Sequence, residues 1–181
     1  MRRSSILLSL TITLLCTAAH AGEKDIMTAD CRSERTAKIT FSTRLQKDVL
    51  HVTAVGSPCI KGIVNVKIIR EGEKVIYDES LKIENLYVDP AGVPANDIEN
   101  VVDRIIKDGP TTTDSWPSFV GKPQPVDVGG EYTYTVSKNE YERLRTKKLP
   151  AFQLGIYYDV YTNLIYDAKK DKAVVIWEWG L

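Results

Sequence analysis

Two groups of aromatic side chains stand where a ligand or partner surface is expected. The first lies in the stretch 109–130, which carries Pro110, Pro117, Pro123 and Pro125 together with two large rings, Trp116 and Phe119. Prolines at this density forbid a regular helix or a central strand. Loops of this length inside a compact domain are uncommon, and they are usually functional or disordered. Residues 110–125 are therefore expected to present a partner-binding surface centred on Trp116 and Phe119. Aromatic anchors of this kind supply most of an interface's energy, and prolines lower the cost of ordering them. The competing reading folds the loop over a sheet and places both rings in the core.

The second group is C-terminal. On a strand, Trp177 and Trp179 point to one face and Glu178 to the other, while Tyr157 and Tyr161 share a face with Asp159. Flat rings beside a carboxylate suit a glycan-binding surface, by stacking on sugar rings and hydrogen bonding to hydroxyls. The plain alternative is that the tryptophans of a terminal strand close a sandwich core. Asp159, Asp167 and Glu178 are also the carboxylates from which a glycosidase-type pair, ~5–10 Å apart, would be drawn. Asp167 and Asp171 have Lys169 and Lys170 between them, not the interleaved oxygen ligands of a calcium loop. The basic run Arg143, Arg145, Lys147 and Lys148 reads as the solvated side of a short helix or as a contact for an anionic partner.

Other chemistries are excluded by residue counts. Residues 1–21 read as a secretory signal peptide: Arg2 and Arg3, an apolar stretch Ile6 to Leu15, and the cleavage pattern Ala19-His20-Ala21. The apolar stretch is too short to span a bilayer. Acylation at Cys16 is the competing reading, and Leu14 and Leu15 before it do not suit that modification. Cleavage takes the 181 residues to 160; with Arg2 and Arg3 gone, 22 basic side chains face 24 acidic ones. That near-neutral balance argues against nucleic acid. His51 is then the only histidine, on a strand-like segment, and Met27 the only methionine. Histidine–cysteine zinc sites and copper handling lose their ligands, and a Ser-His-Asp triad would have to use His51. No cofactor or metal is expected. Neither a phosphate-binding loop, a dinucleotide fingerprint, a nucleophile elbow nor a zinc-protease motif occurs. The two remaining cysteines, Cys31 and Cys59, are expected to form a disulfide in an oxidising compartment, worth about 3 kcal/mol by loop entropy.

The elements that must position these groups are mostly strands. Ile39-Thr40-Phe41-Ser42 alternates apolar and polar; Leu50, Val52 and Ala54 share one face; Val64, Val66 and Ile68 share another. A polar turn at 71–74 leads to a strand from Val75, continued by Leu81 and Ile83. Residues 96–108 break the pattern: Ile98, Val101, Val102, Ile105 and Ile106 make a helical stripe, with Asn96 and Glu99 spaced as a cap and its partner. Tyr132 to Val136 resumes a strand. Ser137 and Glu140 open a second helix through Arg145, and residues 164–179 form a hairpin with a charged tip.

With 43% hydrophobic and 27% charged residues, the chain can build an ordinary core. The expectation is one exported α+β domain over 22–181, mainly antiparallel β, a sandwich or small barrel with two short helices. Small exported β-domains with one disulfide, among them bacterial lysozyme inhibitors and periplasmic immunity proteins, are similar in architecture only. The expected function is a non-enzymatic, periplasmic or secreted bacterial binding module. Its partner would be a protein of the cell envelope, and inhibition of a secreted or envelope enzyme is one form of that role. The alternative is a glycan-binding module built on Tyr157, Tyr161, Trp177 and Trp179; the third reading is a carboxylate-dependent hydrolase.

Export is directly testable. Intact-mass measurement of the exported protein should give a chain beginning at Gly22; a mass beginning at a lipidated Cys16 would overturn that assignment.

Overall fold

The computed structural model describes residues 24–43, 45, 47–87, 89–121, 131–157 and 160–180; the expected signal peptide lies outside the described residues. Four strands, β1 (Cys31–Ile39), β2 (Asp48–Gly56), β3 (Ile63–Arg70) and β4 (Lys74–Lys82), pair in sequence order as an antiparallel sheet. The β2–β3 register sets Leu50 against Ile68, Val52 against Val66 and Ala54 against Val64. All six side chains are buried, which is what the period-two pattern demanded. Helix α1 (Asp97–Asp108) buries Ile98, Val101, Val102 and Ile105 in the same core.

The second sheet contains β5 (Pro110–Thr112), β6 (Glu131–Tyr134), β7 (Pro150–Tyr157), β8 (Val160–Asp167) and β9 (Lys172–Gly180). Its spatial order is β5-β7-β8-β9-β6, and every neighbouring pair is antiparallel. Phe152, Leu154 and Leu164 on one face join the core of the first sheet and α1. Ala151, Ile165, Ile176 and Trp177 belong to a separate cluster, roofed by α2 (Lys138–Thr146) and the segment around Trp116. The expected α+β class, mainly antiparallel β with two helices, is what the chain forms.

Two local expectations change. The first strand ends at Ile39, where it was expected to begin. The buried Asp48 carboxylate accepts the backbone N–H of Phe41 (3.1 Å) and Ser42 (2.6 Å) and the Ser42 hydroxyl (2.8 Å), which takes those amides out of any ladder. A carboxylate with that many donors tolerates burial. The actual strand, β1, is largely polar and exposed on its outer positions, so alternation is weak there. At α1, Asn96 is already in helical geometry and its side chain caps nothing; its carbonyl accepts the Glu99 N–H instead. At α2 the expected cap holds, with the Ser137 hydroxyl accepting the Glu140 N–H.

Two cross-links hold the sheets and connections together. The Cys31–Cys59 disulfide joins the start of β1 to a 3-10 turn over Cys59–Lys61 ahead of β3. At the tips of the β3–β4 and β8–β9 turns, Arg70, Lys74 and the Tyr166 hydroxyl all bond the Asp171 carboxylate. The Lys74 and Tyr166 hydrogen bonds, with the Arg70 charge, hold Asp171 down at about 2.

The folded state therefore keeps Asp171 ionised below its ordinary carboxylate range. Its contribution to stability is complete above about pH 4 and is lost as pH falls towards about 2. Thermal melts across that window should show a falling midpoint in the native protein. An Asp171→Asn variant should melt lower at pH 7 and lose part of that acid dependence; an unchanged acid limb would contradict the role given to Asp171.

Candidate functional site

The segment after β5 is stitched down rather than presented. Thr113 is buried; its amide donates to the Leu149 carbonyl (2.9 Å), and its hydroxyl donates to the Leu144 carbonyl (2.7 Å) and accepts the Leu149 N–H (3.0 Å). From there Trp116 enters the cluster between sheet and helix and is only 3% exposed. It stacks on Tyr141, with centroids 5.7 Å apart and planes 20° apart, and meets Trp177 edge-on at 6.2 Å. The Tyr141 hydroxyl donates to the Pro117 carbonyl, and the Glu142 carboxylate accepts the Phe119 amide at 2.8 Å. That bond, with the Arg145 ion pair, holds Glu142 below its usual range. Burial pushes the Tyr141 phenol up.

Phe119 sits at the rim. It is partly exposed, packs on Tyr134 at 4.3 Å and lies under the Lys138 ammonium at 5.9 Å. Of the two expected anchors, then, the indole of Trp116 is sealed and only Phe119 meets solvent. Pro123 and Pro125 lie outside the described residues.

The C-terminal aromatics are brought together. Strand pairing sets Trp179 beside Tyr161 on one side and Tyr132 on the other. The ring centroids are 6.1 Å and 6.5 Å apart. All three side chains are partly exposed, on the same sheet face as the buried Trp177. Gly155 stands opposite Tyr161, and a methyl group there would lie 3.3 Å from the Tyr161 ring, so the missing side chain gives that ring room over β7. Tyr157 lies in β7 opposite Val160, and its side chain is outside what the structure describes; Asp159 is outside the described residues.

Asn163 and the indole N–H groups of Trp116 and Trp177 share this face, and all are buried without a hydrogen-bond partner. Native proteins leave few such groups unpaired. Tyr132, Tyr134 and Tyr141 complete the aromatic layer. Their signal in the sequence was modest, a strand alternation and a helix anchor.

Of the expected carboxylates, the two described ones, Asp167 and Glu178, do not converge. Glu178 is on the opposite face, accepting the Thr162 hydroxyl, while Asp167 ends β8 and accepts the turn amides of Lys169 and Lys170. Positions 162 and 167 are separated by about 16 Å at ~3.3 Å per strand residue. His51 is on the first sheet, bonded to Glu34 at 2.9 Å. Arg143 pairs with Glu140, Arg145 with Glu142 and Lys148 with Asp114, so acidic side chains offset much of the basic run. Among the described residues, no three potential metal-binding side chains converge.

Truncating Trp116 should act on stability. Trp116→Ala is expected to lose about 3–5 kcal/mol in denaturant unfolding. Trp179→Ala, at a partly exposed position, should lose clearly less; equal losses would place Trp179 in the core.

Compared with known proteins, the chain matches no family model, no curated protein and no solved structure.

Proposed function

We propose that this chain is a non-enzymatic binding module of the bacterial cell envelope, exported by its N-terminal signal, and that its outer aromatic face takes a glycan. The observation that carries this reading is the partly exposed row Tyr161, Trp179 and Tyr132 across three adjacent strands. Rings held side by side on a rigid sheet are pre-organised, and pre-organisation lowers the cost of binding. The buried Trp177, beside them on the same face, packs against Tyr132 with ring centroids 5.7 Å apart. Sugar rings stack on such faces through their C–H groups, while the sheet edge supplies polar contacts. The disulfide suits an oxidising compartment, and no helix among the described residues is long and apolar enough to cross a membrane.

A protein partner, such as an envelope enzyme that the module inhibits, is the second reading. One observation favours it: Phe119 stays partly exposed on the rim, its backbone pinned by Glu142 and its ring by Tyr134. In that case Phe119 alone would act as the anchor.

Binding of the mature protein to purified envelope polysaccharides and a glycan array separates the two. On the glycan reading, Tyr161→Ala and Trp179→Ala should each weaken retention at least tenfold with little change in melting, and Phe119→Ala should not. No retained glycan, or retention unaffected by both strand variants, would remove the glycan reading.

A further inference from the structure

A cleft of about 280 Å³ opens at the edge of the second sheet, between the last turn of α1 and β7. Arg104, Asp108 and Gly109 line it from the helix side, and Gln153, Gly155 and Tyr161 from the sheet side. Tyr161 therefore belongs to two surfaces at once, this cleft and the aromatic row with Trp179. Beyond the three residues paired with β5, the edge of β7 is taken up locally by the Gly109 carbonyl, which accepts the Gln153 amide at 2.7 Å. We infer that this cleft is the hydroxyl-reading half of the glycan site and receives one neutral sugar residue of a chain stacked along Tyr161 and Trp179. The inference rests on the glycan reading given above.

The lining chemistry selects that ligand. A guanidinium donates only, a carboxylate accepts only and a primary amide does both, so together they match the alternating roles of vicinal hydroxyls. Hydrogen bonds to such charged groups are the stronger kind. The Tyr161 ring gives the apolar face on which the sugar lies, and the absent side chain at Gly155 gives that ring room to lie over β7. Across the β7–β8 ladder from Gln153, and on the same face, Asn163 is fully buried with neither amide atom bonded. Asn163 lies below the surface and is not part of the cleft lining, so the polar contacts to the sugar fall to Arg104, Asp108 and Gln153.

Charge decides between neutral and anionic sugars. The lining carries one charge of each sign, Arg104 and Asp108, and the cleft also faces the carbonyl end of α1, which carries partial negative charge. Neither a carboxylated nor a phosphorylated sugar gains from that field.

Isothermal titration of the mature protein with maltotetraose, cellotetraose, chitotetraose and an oligogalacturonate tests the assignment. Wild-type protein should bind at least one neutral tetrasaccharide more tightly than the anionic chain. Arg104→Gln, Asp108→Asn and Gln153→Ala should each weaken that binding about tenfold, with melting temperatures close to wild type, and Trp179→Ala should weaken it as well. If Trp179→Ala abolishes binding while all three cleft variants stay within twofold of wild type, the cleft assignment is overturned and the glycan reading stands. Preference for the anionic chain also overturns the cleft assignment alone. Failure of wild type to bind any of the four overturns both.

Discussion

Gly109 and Phe152 meet at closer range than any other residue type at position 109 would allow. A methyl group there would fall 2.4 Å from the Phe152 ring and 2.5 Å from the Ile105 carbonyl. Because Gly109 has no side chain, the end of α1 can lie directly on β7, and its carbonyl can take the Gln153 amide. That junction joins α1, which packs on the first sheet, to the strand that carries the second. It also brings Arg104 and Asp108 to the same cleft as Gln153 and Tyr161, an approach that a side chain at position 109 would block.

From β7 the two faces of the second sheet diverge. Phe152 and Leu154 go into the larger core with β2, β3 and α1, while Ala151, Gln153 and Gly155 look the other way. Near Ala151 that second face is roofed by Trp116, Tyr141 and Leu144. Towards Tyr161 and Trp179 the rings remain partly exposed. One face thus grades from sealed core to open aromatic surface along the same strands. The roof is itself held by specific polar bonds, above all those of Thr113 and Glu142, which explains why the segment around Trp116 and Pro117 lies down over the sheet.

Much of this was legible beforehand. The strand pairs Leu50/Ile68, Val52/Val66 and Ala54/Val64, the stripe of α1 and the Ser137 cap follow from local periodicity and capping chemistry, which short stretches of chain determine. The disulfide was readable because Cys31 and Cys59 are the two cysteines left when the expected signal peptide is set aside. β1 was misplaced because its outer positions carry charges and its neighbour's amides answer to Asp48, a partner six and seven residues away. The aromatic group at the C-terminus was visible as Tyr161, Trp177 and Trp179, since alternation tells which residues share a face.

What the chain determined by itself is therefore local: the class of fold, the helices, the alternation of faces and the cysteine pair. Tertiary structure alone decided which rings are core and which are surface. Trp116 and Trp179 are the same residue type, yet one is roofed by α2 and the other is not. Only the folded chain brings Arg104 and Asp108, on α1, to the residues of β7 and β8 that complete the cleft. No periodicity records that meeting, because it depends on a helix and a sheet packing across a glycine, a contact between residues 109 and 152 that no local pattern contains.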